Sequence, residues 1–216
     1  MLVVFRHIQT ARMMHTDSTH VKTSRKAAQS EATRAKLVRA GRKLFGKRGY
    51  AGVGTEEIVR AAGVTRGALY HQFADKRELF AAVFEDTETE LIAEAGRNSA
   101  GVDDPVEALR RAFLGWLDAC SRPAVQRIVL LDAPAVLGWE EWREIGERLG
   151  LGATMAALQA GMDAGAIVVQ PVRPLAHVVM GALDEAALYI ARADDPVVAT
   201  AEMAAILDRL VESLRA

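Results

Sequence analysis

The sequence predicts an all-α fold of about nine helices, and three observations support this prediction. Apolar residues recur at three- and four-residue spacing along most of the chain. No stretch shows the convincing alternation of a β-strand. Glycine and proline stand where helices would begin or end, as at Gly63, Gly165 and Pro105. Half of the 216 residues are hydrophobic, which is enough for a substantial core.

Residues 1–29 are predicted to form a disordered basic arm. Arg, Lys, His, Ser and Thr are scattered along it, and Asp17 is its single acidic residue. The LVVF run at 2–5 is too short for the core of a signal peptide. A basic arm of this kind can contact the minor groove or the backbone of DNA, and a tail without a role is an equal alternative.

The first helix is predicted from about Ser30 to Lys47. Apolar residues such as Leu37, Leu44 and Phe45 recur along it near helical spacing, and basic residues cover its other sides. Two glycines shortly after Phe45 mark its end. Together with the two short helices that follow, this helix can close a small three-helix core within residues 30–76.

The two short helices are predicted in the segment TEEIVRAAGVTRGALYHQF, which begins at Thr55 and ends at Phe73. Thr55 is expected to cap the first helix, Gly63 suits the left-handed conformation that ends it, and Thr65 can cap the second helix. Leu69 and Phe73 lie four residues apart and therefore share an inward face. Two helices joined by a short glycine-containing turn form the helix-turn-helix, whose second helix enters the major groove of DNA.

The outward side of this second helix carries candidate DNA contacts. Arg66 lies in its first turn, where a guanidinium can bond O6 and N7 of a guanine together. Gly67 and Ala68 leave room for a close approach to the groove floor, and Tyr70 and His71 can donate to phosphates. The complete candidate set for DNA binding is Thr55, Thr65, Arg66, Gly67, Ala68, Tyr70, His71 and Lys76.

Lys76 belongs to the candidate set because of its place in the next helix, which is predicted from about Asp75 to Ala95. Asp75 is expected to cap this helix, and Glu78 completes a capping box. Lys76 is then the first residue inside, where its charge opposes the helix dipole. An ammonium beside free N–H groups nevertheless makes a good phosphate site.

The charge of the chain is divided unevenly along its length. Residues 1–74 hold 14 Lys and Arg against 4 Asp and Glu, a net charge of +10. Residues 75–216 hold 13 against 24, a net charge of −11, so that the whole chain carries only −1. This asymmetry indicates nucleic acid as a partner of the amino-terminal third alone, the alternative being an ordinary solvated basic surface.

Five further helices are predicted after the loop that follows Gly96. Pro134 is expected to break the second of them, because proline lacks the N–H that a helix interior needs. The last two are rich in Ala together with Val, Ile, Leu and Met, and small residues let helices approach closely. The five predicted ranges are about 105–120, 124–132, 139–164, 174–193 and 196–214.

A family resemblance adds to this interpretation, and it covers about 50 residues. The residues that carry it are LFGKRGY at 44–50, Thr55 with Ile58, AAGVTRGALYHQF at 61–73, and Lys76 with Leu79 and Phe80. On these residues the segment 31–80 resembles the DNA-binding domain of the TetR/AcrR family of one-component repressors. The stretch LLDAPAVLGWEEWREI at 130–145 also resembles the ligand domain of one branch of that family, without indicating a ligand.

The resemblance implies a ligand-responsive repressor with a DNA-binding domain at residues 30–76 and a ligand-binding and dimerisation domain at 77–216. The two C-terminal helices would pair with their copies in a second subunit of a homodimer. Two recognition helices would then meet a palindromic operator about 34–36 Å apart if the half-sites are adjacent. The alternatives are that these helices pack within one subunit, and that the protein binds DNA without any ligand.

In a fold of this family, helices 4 to 8 would enclose the ligand pocket. Most candidate lining residues are apolar, so a small hydrophobic or aromatic ligand is expected. For each of them ordinary core packing is the stronger alternative, since Met and Trp fill cores more often than they touch ligands. The candidates are Phe113, Trp116, Leu117, Cys120, Leu130, Trp139, Trp142, Met155, Leu158, Met162, His177 and Met180.

A small helical enzyme is the alternative from another class, and the sequence disfavours it. It contains no HExxH, GxSxG, Walker lysine loop or spaced Cys/His set, so we predict no catalytic residue, metal ligand or cofactor. The run of carboxylates from Glu140 to Glu147 is interpreted as a solvated helix face. The single Cys120, and the lack of an apolar run of roughly 18 residues, favour a cytoplasmic protein that does not enter membranes.

Overall fold

Helices account for nearly all regular structure in residues 4–216, the part of the chain that this computed structural model describes, with side chains from Lys26 onward. A π-helical segment, Arg127–Asp132, joins α6 to α7, so residues 123–137 form one rod. The described chain therefore contains nine rods, which confirms the predicted all-α fold. The helices are α1 (Val4–Arg48), α2 (Thr55–Ala62), α3 (Arg66–Gln72), α4 (Lys76–Ser99), α5 (Pro105–Ser121), α6 (Pro123–Gln126), α7 (Ala133–Leu137), α8 (Trp139–Asp163), α9 (Val172–Arg192) and α10 (Pro196–Glu212).

Helix α1 differs from the prediction at its amino-terminal end. It begins at Val4 and not near Ser30, so its backbone is helical through most of the segment predicted to be a disordered arm. Local sequence permits this conformation, because no glycine or proline precedes Gly41. The division of the chain into an arm and two domains stays a prediction.

Pro134 does not break a helix, contrary to the prediction. It lies in the first turn of α7, where a helix tolerates a missing N–H, and the π turn directly precedes it. The helical rod therefore continues to Leu137. It ends at Gly138, whose φ of 86° lies in the region that favours glycine.

Helices α1, α2 and α3 form a small module whose interior is filled by aromatic and aliphatic side chains. The Phe80 ring of α4 enters this interior, with its centroid 5.3 Å from that of Phe45 and 5.2 Å from that of Tyr50. Both contacts have the edge-to-face geometry that aromatic pairs favour. Leu69 and Phe73 are 0% and 1% exposed, which confirms their predicted inward face.

Helices α4 to α10 form a second bundle. Helix α4 packs against α1 as well as α5 and α8, and it therefore links the bundle to the module. The residues after α10 pair with the segment between α8 and α9, where Val168 N donates to Leu214 O and Ala216 N donates to Ala166 O, at 3.0 and 3.1 Å.

One described helix, α9, is long and apolar enough to cross a bilayer, contrary to the expectation from sequence. This is weak evidence, since core helices of water-soluble proteins meet the same criterion. Here α9 packs against α5, α8 and α10.

Candidate nucleic-acid interface and ligand cavity

The end of α2 and the start of α3 are held by the contacts that the sequence predicts. Gly63 adopts the left-handed conformation (φ 65°, ψ 38°) after α2, and Val64 N donates to Val59 O at 3.2 Å. The Thr65 hydroxyl caps α3 by accepting from Ala68 N at 3.1 Å. The turn between the two helices is therefore fixed by local chemistry.

Thr55 does not cap α2, which corrects the prediction. Gly54 occupies the cap position with extended backbone (φ −93°, ψ 153°), and Thr55 is the first helical residue. No side chain from Lys26 onward caps this helix end. Thr55 itself is half-buried.

The outward face of α3 is exposed to solvent, as a recognition helix requires. Thr65, Arg66, Gly67, Tyr70 and His71 are exposed. Ala68 is half-buried, as is Gln72, whose amide donates to Ser30 Oγ at 2.7 Å and joins α3 to α1. The structure brings the predicted contacts of α3 to one surface, and their role in binding DNA stays a prediction.

Arg66 is already engaged by two neighbours on this surface. Its Nη1 lies 3.0 Å from Glu56 Oε1, and its guanidinium lies 5.6 Å from the centroid of the Tyr70 ring. The side chains of Arg66 and Glu56 are 67% and 71% exposed. Ion pairs this exposed contribute little to stability, about 0–1 kcal/mol, so a base edge can replace Glu56 as partner.

Lys76 lies in a different environment from the one predicted. Its Nζ donates to Tyr50 O at 3.1 Å and to Val53 O at 3.2 Å, and lies 3.9 Å from the Tyr50 ring centroid. The ammonium therefore stabilises the loop between α1 and α2. Because an ammonium has three donors, a phosphate contact through the remaining one stays a prediction.

The predicted capping box at the start of α4 is present with one change. Asp75 Oδ1 accepts from Glu78 N at 2.8 Å. Glu78 Oε2 accepts in return from Ala74 N at 2.6 Å, one residue before the cap.

Four residues join the module to the second bundle, and we call their contacts the junction. Asp132 Oδ2 accepts from Tyr50 N at 2.7 Å, and Arg127 Nη1 donates to Lys47 O at 2.8 Å. Arg127 and Asp132 are the first and last residues of the π-helical segment. This segment therefore holds the carboxyl-terminal end of α1 and the loop that follows it.

The second bundle encloses a cavity of about 250 Å³ between α4, α5, α8 and α9. Its wall is mostly apolar and includes the aromatic rings of Phe84, Phe113, Trp116 and Trp142. Trp142 Nε1 donates to Val129 O at 3.0 Å, so the wall is tied directly to the π-helical segment. A concave, largely apolar cavity of this kind is typical of small-molecule sites.

The pocket prediction from sequence is only partly matched by this cavity. Phe113, Trp116, Trp142 and Met180 line it. The other predicted residues lie outside the lining, as core or surface side chains, because helical periodicity identifies a buried face without saying which part of it faces a void. These residues are Leu117, Cys120, Leu130, Trp139, Met155, Leu158, Met162 and His177.

Three of these residues have a specific environment. Trp139 is 54% exposed, with its ring centroid 4.8 Å from that of Trp142. His177 Nδ1 lies 3.5 Å from Glu147 Oε1, so it contacts a residue of the cavity wall. Cys120 is buried in the core, and burial raises the pKa of its thiol well above the usual value, which makes it unreactive at neutral pH.

The polar residues of the cavity were missed from sequence. Glu88, Arg143, Glu147 and Asp184 lie in its wall, although Glu147 was interpreted as part of a solvated face. Glu88 is only 7% exposed. It interrupts an apolar helix face that runs from Phe84 through residue 91, and this misplaced charge was the available signal.

Two of these carboxyls have strongly perturbed acidity. Burial, and to a smaller extent the charge of Asp184, raises the pKa of Glu88 to about 8. Burial also raises the pKa of Asp184 to about 6, with Arg143 opposing this shift and Glu147 adding to it. Arg143 lies between the two other acids, 3.1 Å from Glu147 and 3.4 Å from Asp184.

Comparison with protein families identifies both parts of the chain. Residues 37–83 match the family described as bacterial regulatory proteins, tetR family, and residues 106–214 match the tetracyclin repressor-like, C-terminal domain. The chain belongs to the TetR family of transcriptional regulators. TetR-family regulators bind DNA as dimers and often bind small-molecule ligands.

Among curated relatives, the transcriptional regulator AcrR of Shigella flexneri is 32% identical over 105 residues, which are 47% of this chain and 48% of AcrR. TtgR of Pseudomonas putida is 36% identical over 88 residues, 40% of this chain and 41% of TtgR. The chain thus spans about half the length of the curated relatives it matches.

Solved structures extend the similarity over most of the TetR-family chain. A TetR-family regulator from Pectobacterium atrosepticum has a TM-score of 0.78 and 34% identity, covering 87% of this chain and 96% of the other. RolR in complex with resorcinol has a TM-score of 0.66 at 21% identity, covering 87% and 95%. The second comparison supports the fold alone.

Proposed function

We propose that this TetR-family protein is a repressor that a small, largely apolar molecule releases from a palindromic operator. The observation that carries the proposal is the exposed outward face of α3, fixed at its start by the Thr65 cap. Family membership and the cavity in the second bundle support it. A small helical enzyme is disfavoured, since members of the family are transcriptional regulators.

In the proposed complex, α3 enters the major groove and Arg66 exchanges Glu56 for a guanine edge. Tyr70 and His71 contact phosphates, and Thr65 with Gly67 and Ala68 faces the groove floor. Lys76 contributes one remaining N–H to the backbone while it keeps the loop carbonyls. Thr55, the first residue of α2, is a further proposed contact with DNA.

The protein is proposed to act as a homodimer through α9 and α10. Both helices leave large apolar side chains exposed in the single chain, including Val178, Tyr189, Ile206 and Leu210. Exposed apolar side chains on adjacent helices are suited to a subunit interface. A two-fold dimer of this kind would match a palindromic operator.

The proposed switch runs from the cavity to α3 through the junction. A ligand that moves the Trp142 indole also moves the Val129 carbonyl to which it is bonded. The same π-helical segment ends in Asp132, which holds Tyr50 N. A ligand shifts the equilibrium toward the released state only by its difference in affinity for the two states.

We also propose a cytoplasmic location, as for other family members.

Selection of bound fragments from random duplex DNA tests this function. The expected product is a two-fold symmetric consensus bound by wild type. Arg66→Ala is expected to lose the preference at one base position of each half-site, whereas Arg111→Ala, on an exposed residue of α5, is the matched control and keeps it. Enrichment of no sequence, or of an asymmetric one, would contradict the proposal.

A further inference from the structure

The cavity wall carries more negative than positive groups. Glu88, Glu147 and Asp184 face one cation, Arg143, which already lies within 3.4 Å of both Glu147 and Asp184. His177 is a second neighbour of Glu147. Glu88 pairs with neither of these cations. Among the described side chains it forms no ion pair, and no hydrogen bond is among the causes of its raised pKa.

A buried carboxyl without a partner is costly, because burial penalises the ionised form. The side chain of Glu88 is more than nine-tenths buried and lies in the cavity wall. A hydrophobic residue at this position of α4 would avoid the cost. The carboxyl is therefore best explained by a partner that arrives with the ligand.

We propose that the cavity binds a small organic ammonium ion with an apolar or aromatic body, and that Glu88 and Asp184 receive its charge. The inference rests on the proposed function, in which this cavity is the ligand site. An anionic ligand would face three carboxyls, and a neutral one would bring no positive charge to balance the excess of acids in the wall. An ammonium pairs with Glu88 and balances the excess of acids.

The rest of the wall suits the body of such a cation. Four aromatic rings surround the space, and an ammonium near an aromatic face gains further attraction. The volume of about 250 Å³ lies just below the usual range for ligand sites, about 300–1,000 Å³. The ligand is therefore small, with one ring or a short alkyl chain.

Proton release on binding provides a second readout of this assignment. Burial raises the pKa of Glu88 to about 8, so without a bound cation this carboxyl is mostly protonated at pH 7. An ammonium would lower that pKa and expel the proton. The charged or titratable groups around Glu88 are Asp184 on α9, Arg143 and Glu147 on α8, and Cys120 on α5.

The test measures binding of matched probes to the full chain without DNA, by calorimetry. The probes are phenethylamine, phenethyl alcohol and phenylacetate, and hexylamine, hexanol and hexanoate. At least one amine is expected to bind about tenfold or more tightly than its alcohol, since hydrogen bonds to charged groups are the stronger ones, and the carboxylates to bind most weakly. Titration in buffers of different ionisation enthalpy should detect release of nearly one proton per amine at pH 7.

Two variants assign the charge recognition. Glu88→Gln keeps the side-chain size and should remove most of the amine preference and the proton release, with alcohol binding unchanged. Asp184→Asn should reduce the preference less, because Arg143 already pairs with Asp184. Glu185→Gln, at the exposed neighbour of Asp184 outside the cavity wall, is the control and should behave as wild type.

Equal or tighter binding of the alcohols or carboxylates would overturn the inference, as would no binding by any amine or an unchanged amine preference in Glu88→Gln. Operator release, measured separately by fluorescence anisotropy, distinguishes this outcome from failure of the proposed function. If amines bind but never release DNA, the switch is wrong and the ligand class stands. If only uncharged or anionic molecules release DNA, the proposed switch stands and the ligand class is wrong.

Discussion

The amino-terminal module and the second bundle use interior space in opposite ways. In the module, the rings of Phe45, Tyr50 and Phe80 fill the centre in mutual contact, and α3 is fixed on this base. In the bundle, a cavity of about 250 Å³ is left between four helices, with the buried Glu88 in its wall. The filled core suits a part that must present one rigid surface, and the hollow one suits a part that must respond.

Removing the charge of Glu88 is the largest expected effect on stability. Its folded-state pKa of about 8 lies above the ordinary value of 4.5, so the folded protein binds the proton more tightly than the unfolded chain. The stability that the folded protein gains from protonated Glu88, relative to the ionised form, is complete below pH 4.5 and is lost as the pH rises through 8. Glu88→Gln should therefore equal wild type at pH 4.5 and exceed it at pH 9 by up to about 5 kcal/mol, measured by chemical denaturation. A constant difference across this range would contradict the raised pKa of Glu88 and the burial that causes it.

Replacing one aromatic ring in the module and one in the second bundle by alanine compares the two interiors directly. Phe80→Ala should destabilise the protein by about 3–5 kcal/mol, since the ring is fully buried among other rings. Phe113→Ala, beside the cavity, should cost at least about 1 kcal/mol less, because that ring already borders a void. Denaturant melts of both variants provide the measurement, and equal losses would mean that the two cores are packed alike.

Arg66→Ala should weaken operator binding by about 1–3 kcal/mol and relax preference at one base position. Glu56→Gln should strengthen binding slightly, because it frees the guanidinium from its exposed partner. Both are read by fluorescence anisotropy at fixed salt. If Arg66→Ala leaves affinity and preference intact, Arg66 does not read a base.

Lys76→Ala should weaken binding to all sequences alike and reduce the slope of log affinity against log salt by about one. Since Lys76 also holds the carbonyls of Tyr50 and Val53, this variant should lower the melting temperature as well. A lower melting temperature with an unchanged slope would give Lys76 a structural role alone.

Gly146→Ala has the smallest expected effect and tests the bundle that contains the cavity. Gly146 lies in α8 and lines the cavity, and a methyl group there would meet no atom within 4 Å. The variant should stabilise the protein by about 0.4–1 kcal/mol through reduced freedom of the unfolded chain. Gly161→Ala is the matched contrast in the same helix and should destabilise, because its methyl would lie 2.5 Å from Ile167 Cδ1.

Sequence reasoning recovered the module better than the bundle, for physical reasons. The cap that ends α2 and the cap that begins α3 depend on residues within five positions of each other, so Gly63 and Thr65 reveal them directly. The Thr55 cap failed because Gly54 already has the required extended backbone.

The cavity depends on how distant helices meet, which periodicity does not encode. Trp142 and Phe113 were found because any buried aromatic is a candidate, whereas Glu147 was missed because its run of carboxylates was interpreted as a solvated face, and Glu88 was not considered. The contact of Lys76 with the loop was also missed, because it joins residues 26 positions apart in sequence.

The π-helical segment, which is bonded to both Trp142 and Tyr50, has a consequence for the sensitivity of the proposed switch. Coupling between two binding sites is reciprocal, so a protein seated on its operator must hold the inducer more weakly by the factor with which the inducer weakens the operator. Free protein would then capture inducer first. The concentration needed for induction would rise with the fraction of the protein already on DNA, which turns operator copy number into a setting for the response threshold.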